Sequence, residues 1–129
     1  MVRVYLIGMG QIVVVDDTLE ILEAIQYVLE DAGYSVRTSQ KGEYAEHLAD
    51  SKKLPSLLIL DMVLSGKDGR DICRELKENA VTKHMPIIMI SAHPAARLSV
   101  KKVGADAFLP KPFDIDVLLH TVKGFVHTS

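Results

Sequence analysis

Short apolar runs alternate with amphipathic segments along the whole chain. Ile12-Val13-Val14-Val15 is β-branched and stops abruptly at Asp16-Asp17, which predicts a strand buried on both faces. A helix is expected next, with Asp17 and Glu20 spaced as a capping box and Leu22, Ile25, Val28, Leu29 and Ala32 on its inner face. Gly33 is placed to end it. Tyr34-Ser35-Val36-Arg37-Thr38 alternates like a more exposed strand, and a polar helix over 43–51 buries Tyr44, Ala45 and Leu48. Leu57-Leu58-Ile59-Leu60 is a second fully buried strand, again ending on an acid, Asp61. Ser65-Gly66-Lys67-Asp68-Gly69 has the composition of a loop, and the following helix carries Ile72, Cys73 and Leu76. Pro86 introduces the strand Ile87-Ile88-Met89-Ile90, which ends at Ser91. A weak helix over 95–103 stops at Gly104, and Ala107-Phe108-Leu109 forms a last short strand. After the Lys111-Pro112 turn, a helix over 114–126 buries Leu118, Leu119, Val122 and Phe125.

Five strands alternating with five helices predict an α/β fold, a doubly wound parallel sheet with helices on both faces and right-handed crossovers. Residues 11–129 form this single domain. The ten residues before it are read as an extension to which no function is assigned.

Composition narrows the function classes. The chain has 129 residues, 48% apolar and 25% charged, which suits one ordinary globular domain. Its net charge of -2 supplies no bulk attraction to nucleic acid or to an anionic membrane, and neither is expected as a direct partner. No apolar run reaches the ~18–20 residues of a membrane span, and the apolar start lacks a signal-peptide pattern. The single cysteine, Cys73, cannot form an internal disulfide and reads as a small apolar side chain in a reducing, cytoplasmic setting. The five histidines, His47, His84, His93, His120 and His127, lack metal-site spacing and read as surface or loop residues.

The chemistry gathers where the strands end. In an open parallel sheet, ligands bind beyond the carboxyl ends of the strands, at the point where strand order reverses. Those ends carry Asp16 and Asp17, Asp61, Ser91 and Lys111. Two carboxylates ~4 Å apart repel by about 4 kcal/mol at an effective dielectric near ~20. A hard divalent cation such as Mg²⁺, bound by carboxylates, waters and phosphate oxygens, offsets that repulsion. A carboxylate is also a competent nucleophile toward phosphorus, and phosphoryl transfer then requires chiefly positioning and charge neutralisation.

Val14-Val15-Asp16-Asp17, Leu60-Asp61 with Gly66 and Asp68-Gly69, Ser91-Ala92 and Lys111-Pro112-Phe113 occur in this order over about residues 11–127. With them the chain resembles the receiver domains of two-component response regulators, of which the chemotaxis regulators are single-domain examples. The resemblance implies a flavodoxin-like (βα)5 fold of strand order 2-1-3-4-5. It implies that Asp61 is the phosphoacceptor and that Asp17 and Asp16 bind Mg²⁺ together with Asp61 and the backbone carbonyl of Val63. Ser91 would turn toward the phosphoryl group and Lys111 would pair with it. A cis Lys111-Pro112 bond would aim the lysine back over the site. Phe108 would occupy the place of the switch aromatic. Val63 and His93, two positions after the acceptor and the hydroxyl residue, would flank the water that hydrolyses the phosphoryl group.

The implied partners are a histidine kinase or phosphotransfer protein as donor, a downstream protein target, and a second copy bound through the face of the fourth helix, last strand and last helix. With no effector domain expected, output would come through protein contacts. The domain would promote its own phosphorylation and dephosphorylation without being a conventional enzyme. Three departures stand out: Ser65 replaces the family's usual Pro, Ser91 the commoner Thr, and Phe108 the frequent Tyr.

Other readings fit less well. Gly8 and Gly10 begin a dinucleotide fingerprint, but its third glycine would fall at Val13. A flavodoxin needs a hydroxyl-rich phosphate loop where this chain has Asp16-Asp17. A haloacid dehalogenase-type phosphatase needs Asp-x-Asp after the first strand rather than adjacent aspartates. A degenerate receiver acting only as an interaction module would have lost some of the acids, Ser91 or Lys111, all of which are present.

Overall fold

The computed structural model describes residues 11–126. The expected extension over 1–10, with Gly8 and Gly10, and His127 lie outside the described residues. Five strands, β1 (Gln11–Val15), β2 (Ser35–Ser39), β3 (Leu57–Asp61), β4 (Ile87–Ser91) and β5 (Ala107–Pro110), form one sheet in the order β2-β1-β3-β4-β5. All four pairings are parallel. The helices are α1 (Leu19–Asp31), α2 (Gly42–Glu46), α3 (Gly69–Glu78), α4 (Ala96–Lys102) and α5 (Ile115–Lys123). The flavodoxin-like order expected from the resemblance is the order found.

Alternation along the strands sorts the core into two layers. Val13, Val15, Leu58, Leu60, Ile87 and Met89 pack with α2, α3 and α4 residues such as Ala45, Ile72, Cys73, Leu76 and Val100. Ile12, Val14, Leu57, Ile59, Ile88 and Ile90 pack on the other face with Leu22, Ile25 and Leu29 of α1 and Leu118 and Val122 of α5. Residues covered on both faces cannot alternate with polar ones, so the central strands read as unbroken apolar runs. The same two-residue period carries Asp16 and Asp61 to the α1/α5 side of the sheet, beyond Val14 and Ile59.

Several local expectations are corrected. The Asp17–Glu20 capping box does not form: Thr18 is the cap residue of α1 and makes no side-chain cap bond. Asp16 instead accepts from the Thr18 backbone N–H at 2.9 Å, which turns the chain before the helix begins. Ala32 is exposed, because α1 ends at Asp31 and Ala32 is already its C-cap. Gly33, at φ 102, closes the helix: its N–H donates to Glu30 O at 3.0 Å, and the Tyr34 N–H donates to Leu29 O at 3.0 Å. The expected helix over 43–51 is a short α-helix followed by a 3-10 turn, His47–Asp50. Within the expected loop 65–69, Val63–Leu64 and Lys67–Asp68 pair as a two-residue antiparallel ladder, and Gly69 already belongs to α3.

Gly69 sits where this ladder meets the end of β3. Its N–H donates to Met62 O at 2.7 Å, and a Cβ there would run into the Asp61 carbonyl oxygen and lie 3.1 Å from Met62 Cα. Those obstacles are backbone, so relief requires moving β3 or α3. We therefore expect Gly69→Ala to destabilise the fold by about 2–3 kcal/mol, the usual size of an overpacking penalty that shifts backbone. Urea unfolding checks this, and a loss under ~0.5 kcal/mol would show that the junction is more compliant than its geometry.

Candidate functional site

The sheet order reverses between β1 and β3, whose neighbours lie on opposite sides, and the site lies at the carboxyl end of that crevice. Asp16 and Asp17 follow β1, Asp61 ends β3, Ser91 ends β4, and Lys111 follows β5. Asp16, Asp61 and Ser91 are buried, whereas Asp17 is half-buried. One oxygen from each of Asp16, Asp17 and Asp61 can be chosen so that all three lie within 4.8 Å of one another. An all-oxygen set of this size is the donor chemistry a hard divalent cation takes, so the rim fits Mg²⁺.

Lys111 crosses the rim from β5. Its Nζ lies 2.9 Å from Asp16 Oδ2 and 3.4 Å from Asp61 Oδ1. Its backbone N–H donates to Ser91 O at 2.8 Å, tying the segment after β5 to the end of β4. The Lys111-Pro112 peptide is cis, as expected. Burial alone would lower the Lys111 pKa, but the hydrogen bond it donates to Asp16 and the charges of Asp61 and Asp16 outweigh it and hold the ammonium above its ordinary value.

Asp61 is held above the ordinary carboxylate range. Burial and the neighbouring Asp16 charge push its pKa up to about 6, against the pull of Lys111 and of the Val63 N–H. The Ser91 hydroxyl accepts from the His93 N–H at 3.0 Å, so His93 reaches the site through its backbone while its side chain is exposed. The Val63 side chain is 55% exposed beside Asp61, at the start of the two-residue ladder. Phe108, half-buried on β5, packs against the α4 side of the core beneath the Arg97 guanidinium, which is 5.1 Å from the ring centroid.

Three contacts around the site escaped the sequence reading. Asp68 caps α3 by accepting from the Arg70 N–H at 2.8 Å and forks onto the Arg70 guanidinium at 2.7 Å. Asp followed two residues later by Arg before an apolar-periodic stretch was the available signal. Ser65 Oγ donates to Asp17 Oδ2 at 3.3 Å across 48 residues of sequence, and Arg97 covers Phe108; no local pattern announces either. Cys73 is buried, and burial pushes its thiol up to about 11, in keeping with an inert core residue. His47, His84 and His120 are exposed. Among the described residues, no helix is long and apolar enough to cross a membrane.

Known proteins resemble this chain in sequence and in fold. The family described as the response regulator receiver domain matches residues 12–123. The phosphate regulon transcriptional regulatory protein PhoB of Rhizobium meliloti is 36% identical over 92% of this chain and 53% of its own length. The alkaline phosphatase synthesis transcriptional regulatory protein PhoP of Bacillus subtilis is 34% identical over 92% of this chain and 49% of its own. The chain thus spans about half the length of these curated relatives. A protein described as a response regulator of Chloroflexus aurantiacus superposes with a TM-score of 0.84 at 34% identity, over 91% of this chain and 97% of that one. The chemotaxis response regulator CheY4 of Vibrio cholerae superposes with a TM-score of 0.82 at 28% identity, over 92% and 99%.

The raised Asp61 pKa has a consequence for stability. Between an unfolded pKa near ~3.9 and a folded value of about 6, the folded state binds the extra proton, so this group's contribution to stability falls as pH rises through that window. Above it, the ionised carboxylate costs the metal-free fold about 2–3 kcal/mol. Asp61→Asn removes the charge and is expected to melt several degrees higher than wild type at pH 7.5 in chelator, the gap closing toward pH 4. Scanning calorimetry across this range checks it; a variant no more stable at pH 7.5 would show that Lys111 already compensates the charge in full.

Proposed function

The chain belongs to the response regulator receiver domain family, and we propose that Asp61 accepts a phosphoryl group from a phosphohistidine donor in a Mg²⁺-dependent reaction. The observation that carries this reading is Lys111 Nζ lying between Asp16 and Asp61 while the three acids crowd to within 4.8 Å. Such a rim is costly unless it is used to gather cations around an anionic group. Asp61, with a pKa of about 6, is mostly ionised at neutral pH and thus a nucleophile. One of its oxygens bonds to phosphorus as the bond from phosphorus to the donor imidazole breaks.

Asp16, Asp17, Asp61 and the Val63 backbone carbonyl are the groups we assign to Mg²⁺. The ion, when bound, neutralises charge on the phosphoryl oxygens. Lys111 exchanges its contact with the Asp61 carboxylate for the incoming phosphoryl oxygens. The Ser91 hydroxyl, held in the free state by the His93 N–H, rotates to donate to them as well. That movement opens space for Phe108 to turn and remodels the face formed by α4, β5 and α5. A downstream protein, or a second copy of the chain, reads that face.

Receiver domains act with histidine kinases and downstream effectors; we assign a histidine kinase or phosphotransfer protein as donor here. We place the reaction in the cytoplasm, where phosphohistidine donors and a reduced Cys73 are both expected. The self-catalysed gain and loss of the phosphoryl group need no further active-site residue.

Val63 and His93 are assigned to the lifetime of the signal. A β-branched apolar side chain beside Asp61 shields the phosphoryl group and cannot orient a water, whereas the exposed His93 imidazole offers a hydrogen bond. Val63 dominates on this reading, standing two residues from the acceptor and offering no group that can orient a water.

Two outcomes follow. Incubated with a small phosphodonor, the wild type should gain one phosphoryl mass with Mg²⁺ and none in chelator, and Asp61→Asn should gain none in either. Equal incorporation with and without metal, read by intact mass, contradicts the metal assignment. Val63→Asn adds a hydrogen-bonding side chain while keeping the backbone carbonyl, and should hasten loss of the phosphoryl group about tenfold, or about 1.4 kcal/mol of barrier. Decay after donor removal measures this; an unchanged or slower decay transfers control of the water to His93.

A further inference from the structure

The three carboxylates of the rim are not equally held. Asp16 is fixed at both oxygens, Oδ1 by the Thr18 N–H at 2.9 Å and Oδ2 by Lys111 Nζ at 2.9 Å. Asp61 is paired with Lys111 Nζ at 3.4 Å. Among the described residues, Asp17 has neither a backbone donor nor a lysine on its carboxylate. Its main-chain carbonyl accepts from Gln40 Nε2 at 3.2 Å, and among the described residues the one side-chain partner of its carboxylate is Ser65 Oγ, at 3.3 Å from Oδ2.

We propose that Ser65 is a positioning residue for divalent cation binding, orienting the Asp17 carboxylate toward the rim. The proposal rests on the metal reading of the rim given above and adds to it a residue that the family pattern does not provide, since proline at this position has no hydroxyl. Ser65 stands at the tip of the Val63–Leu64/Lys67–Asp68 ladder, next to Gly66, and that ladder begins two residues after Asp61. The hydroxyl therefore ties the loop that follows the acceptor to the loop after β1. A carboxylate has lone pairs to spare: Ser65 occupies one site on Oδ2 and leaves Oδ1 free for a cation. Without the hydroxyl, Asp17 is half-buried yet free to rotate toward solvent, and the cation must then order it on binding. One hydrogen bond's net contribution, about 1 kcal/mol, corresponds to about fivefold in affinity.

The experiment is a Mg²⁺ titration of the wild type, Ser65→Ala and Ser65→Thr, followed through the amide resonances of Asp17, Asp61 and Val63. Ser65→Ala should bind Mg²⁺ about fivefold more weakly, while Ser65→Thr, which retains the hydroxyl, should stay within about twofold of wild type. The Mg²⁺ concentration giving half-maximal phosphorylation should rise in Ser65→Ala by the same factor as the dissociation constant. An unchanged affinity in Ser65→Ala overturns the role of Ser65 alone. A tighter one also overturns it, because the hydroxyl would then compete with the cation for Asp17. A wild type whose rim resonances ignore Mg²⁺ overturns the metal reading itself, and this role with it.

Discussion

The structure turns on the bridge from Lys111 to Asp16 and Asp61. Two carboxylates drawn to the end of adjacent parallel strands repel, and burial strips them of the water that would screen that repulsion. A single ammonium 2.9 Å from one and 3.4 Å from the other makes the arrangement tolerable in the absence of a cation. It does so incompletely, since Asp61 still sits well above the ordinary carboxylate range. The residual imbalance makes the site receptive: anything that brings positive charge to the rim, or takes up the Asp61 charge in a covalent bond, is favoured there.

Holding that imbalance requires a rigid frame, and the frame is the sheet. Lys111 comes from the far edge strand and the acids from the two strands flanking the switch point, so their convergence depends on the β1-β3-β4-β5 register. The Lys111 N–H to Ser91 O bond extends the pairing of β4 and β5 past its last ladder residues and fixes where the lysine begins. Gly69 lets α3 approach the end of β3 closely enough to bond Met62 O, so the loop after Asp61 is pinned at both ends. At the opposite end of the sheet, Lys77 joins Met85 O and Asp106, and Asp106 also accepts from the Ile87 N–H. That clamp fixes the relative height of β4 and β5 and, through them, of Ser91 and Lys111.

How much of this was legible in the sequence follows from which forces act locally. The central strands were readable because burial on both faces demands continuous apolar residues, and the acids ending them stood out against that background. The strand order and the convergence of Asp16, Asp17, Asp61, Ser91 and Lys111 followed from the motif order and the family resemblance. The misreadings arose where a side chain or a backbone segment took a partner other than the one its local pattern offered. Glu20 was placed to complete a capping box, but Asp16 turns the chain through the Thr18 N–H and Asp17 is engaged by Ser65. The residues of 65–69 have loop composition, yet a two-residue ladder forms because it closes over the end of β3. Arg97 is one of three cations on a short helix, and no periodicity assigns it to Phe108 rather than to solvent.

That last pairing bears on how a signal would leave the site on the proposed reading. Moving a switch from ~1% to ~99% occupancy takes about 5.5 kcal/mol of differential stabilisation. Charge-assisted bonds from Lys111 and Ser91 to a phosphoryl group are of the right size to supply it, each being roughly twice as strong as a neutral one. The movement they drive must be opposed in the free state, or the resting population would already be switched. Two opposing contacts are in place: the His93 N–H holds the Ser91 hydroxyl, and Arg97 stacks on Phe108. In receivers with tyrosine at this position, a phenol can anchor the ring to its surroundings; phenylalanine has no such group, and a cation on its face is the remaining polar restraint. Arg97 is exposed, and a cation–π contact at an exposed site contributes about 0.5–1 kcal/mol, enough to bias the ring while leaving the larger phosphoryl-driven term able to overcome it.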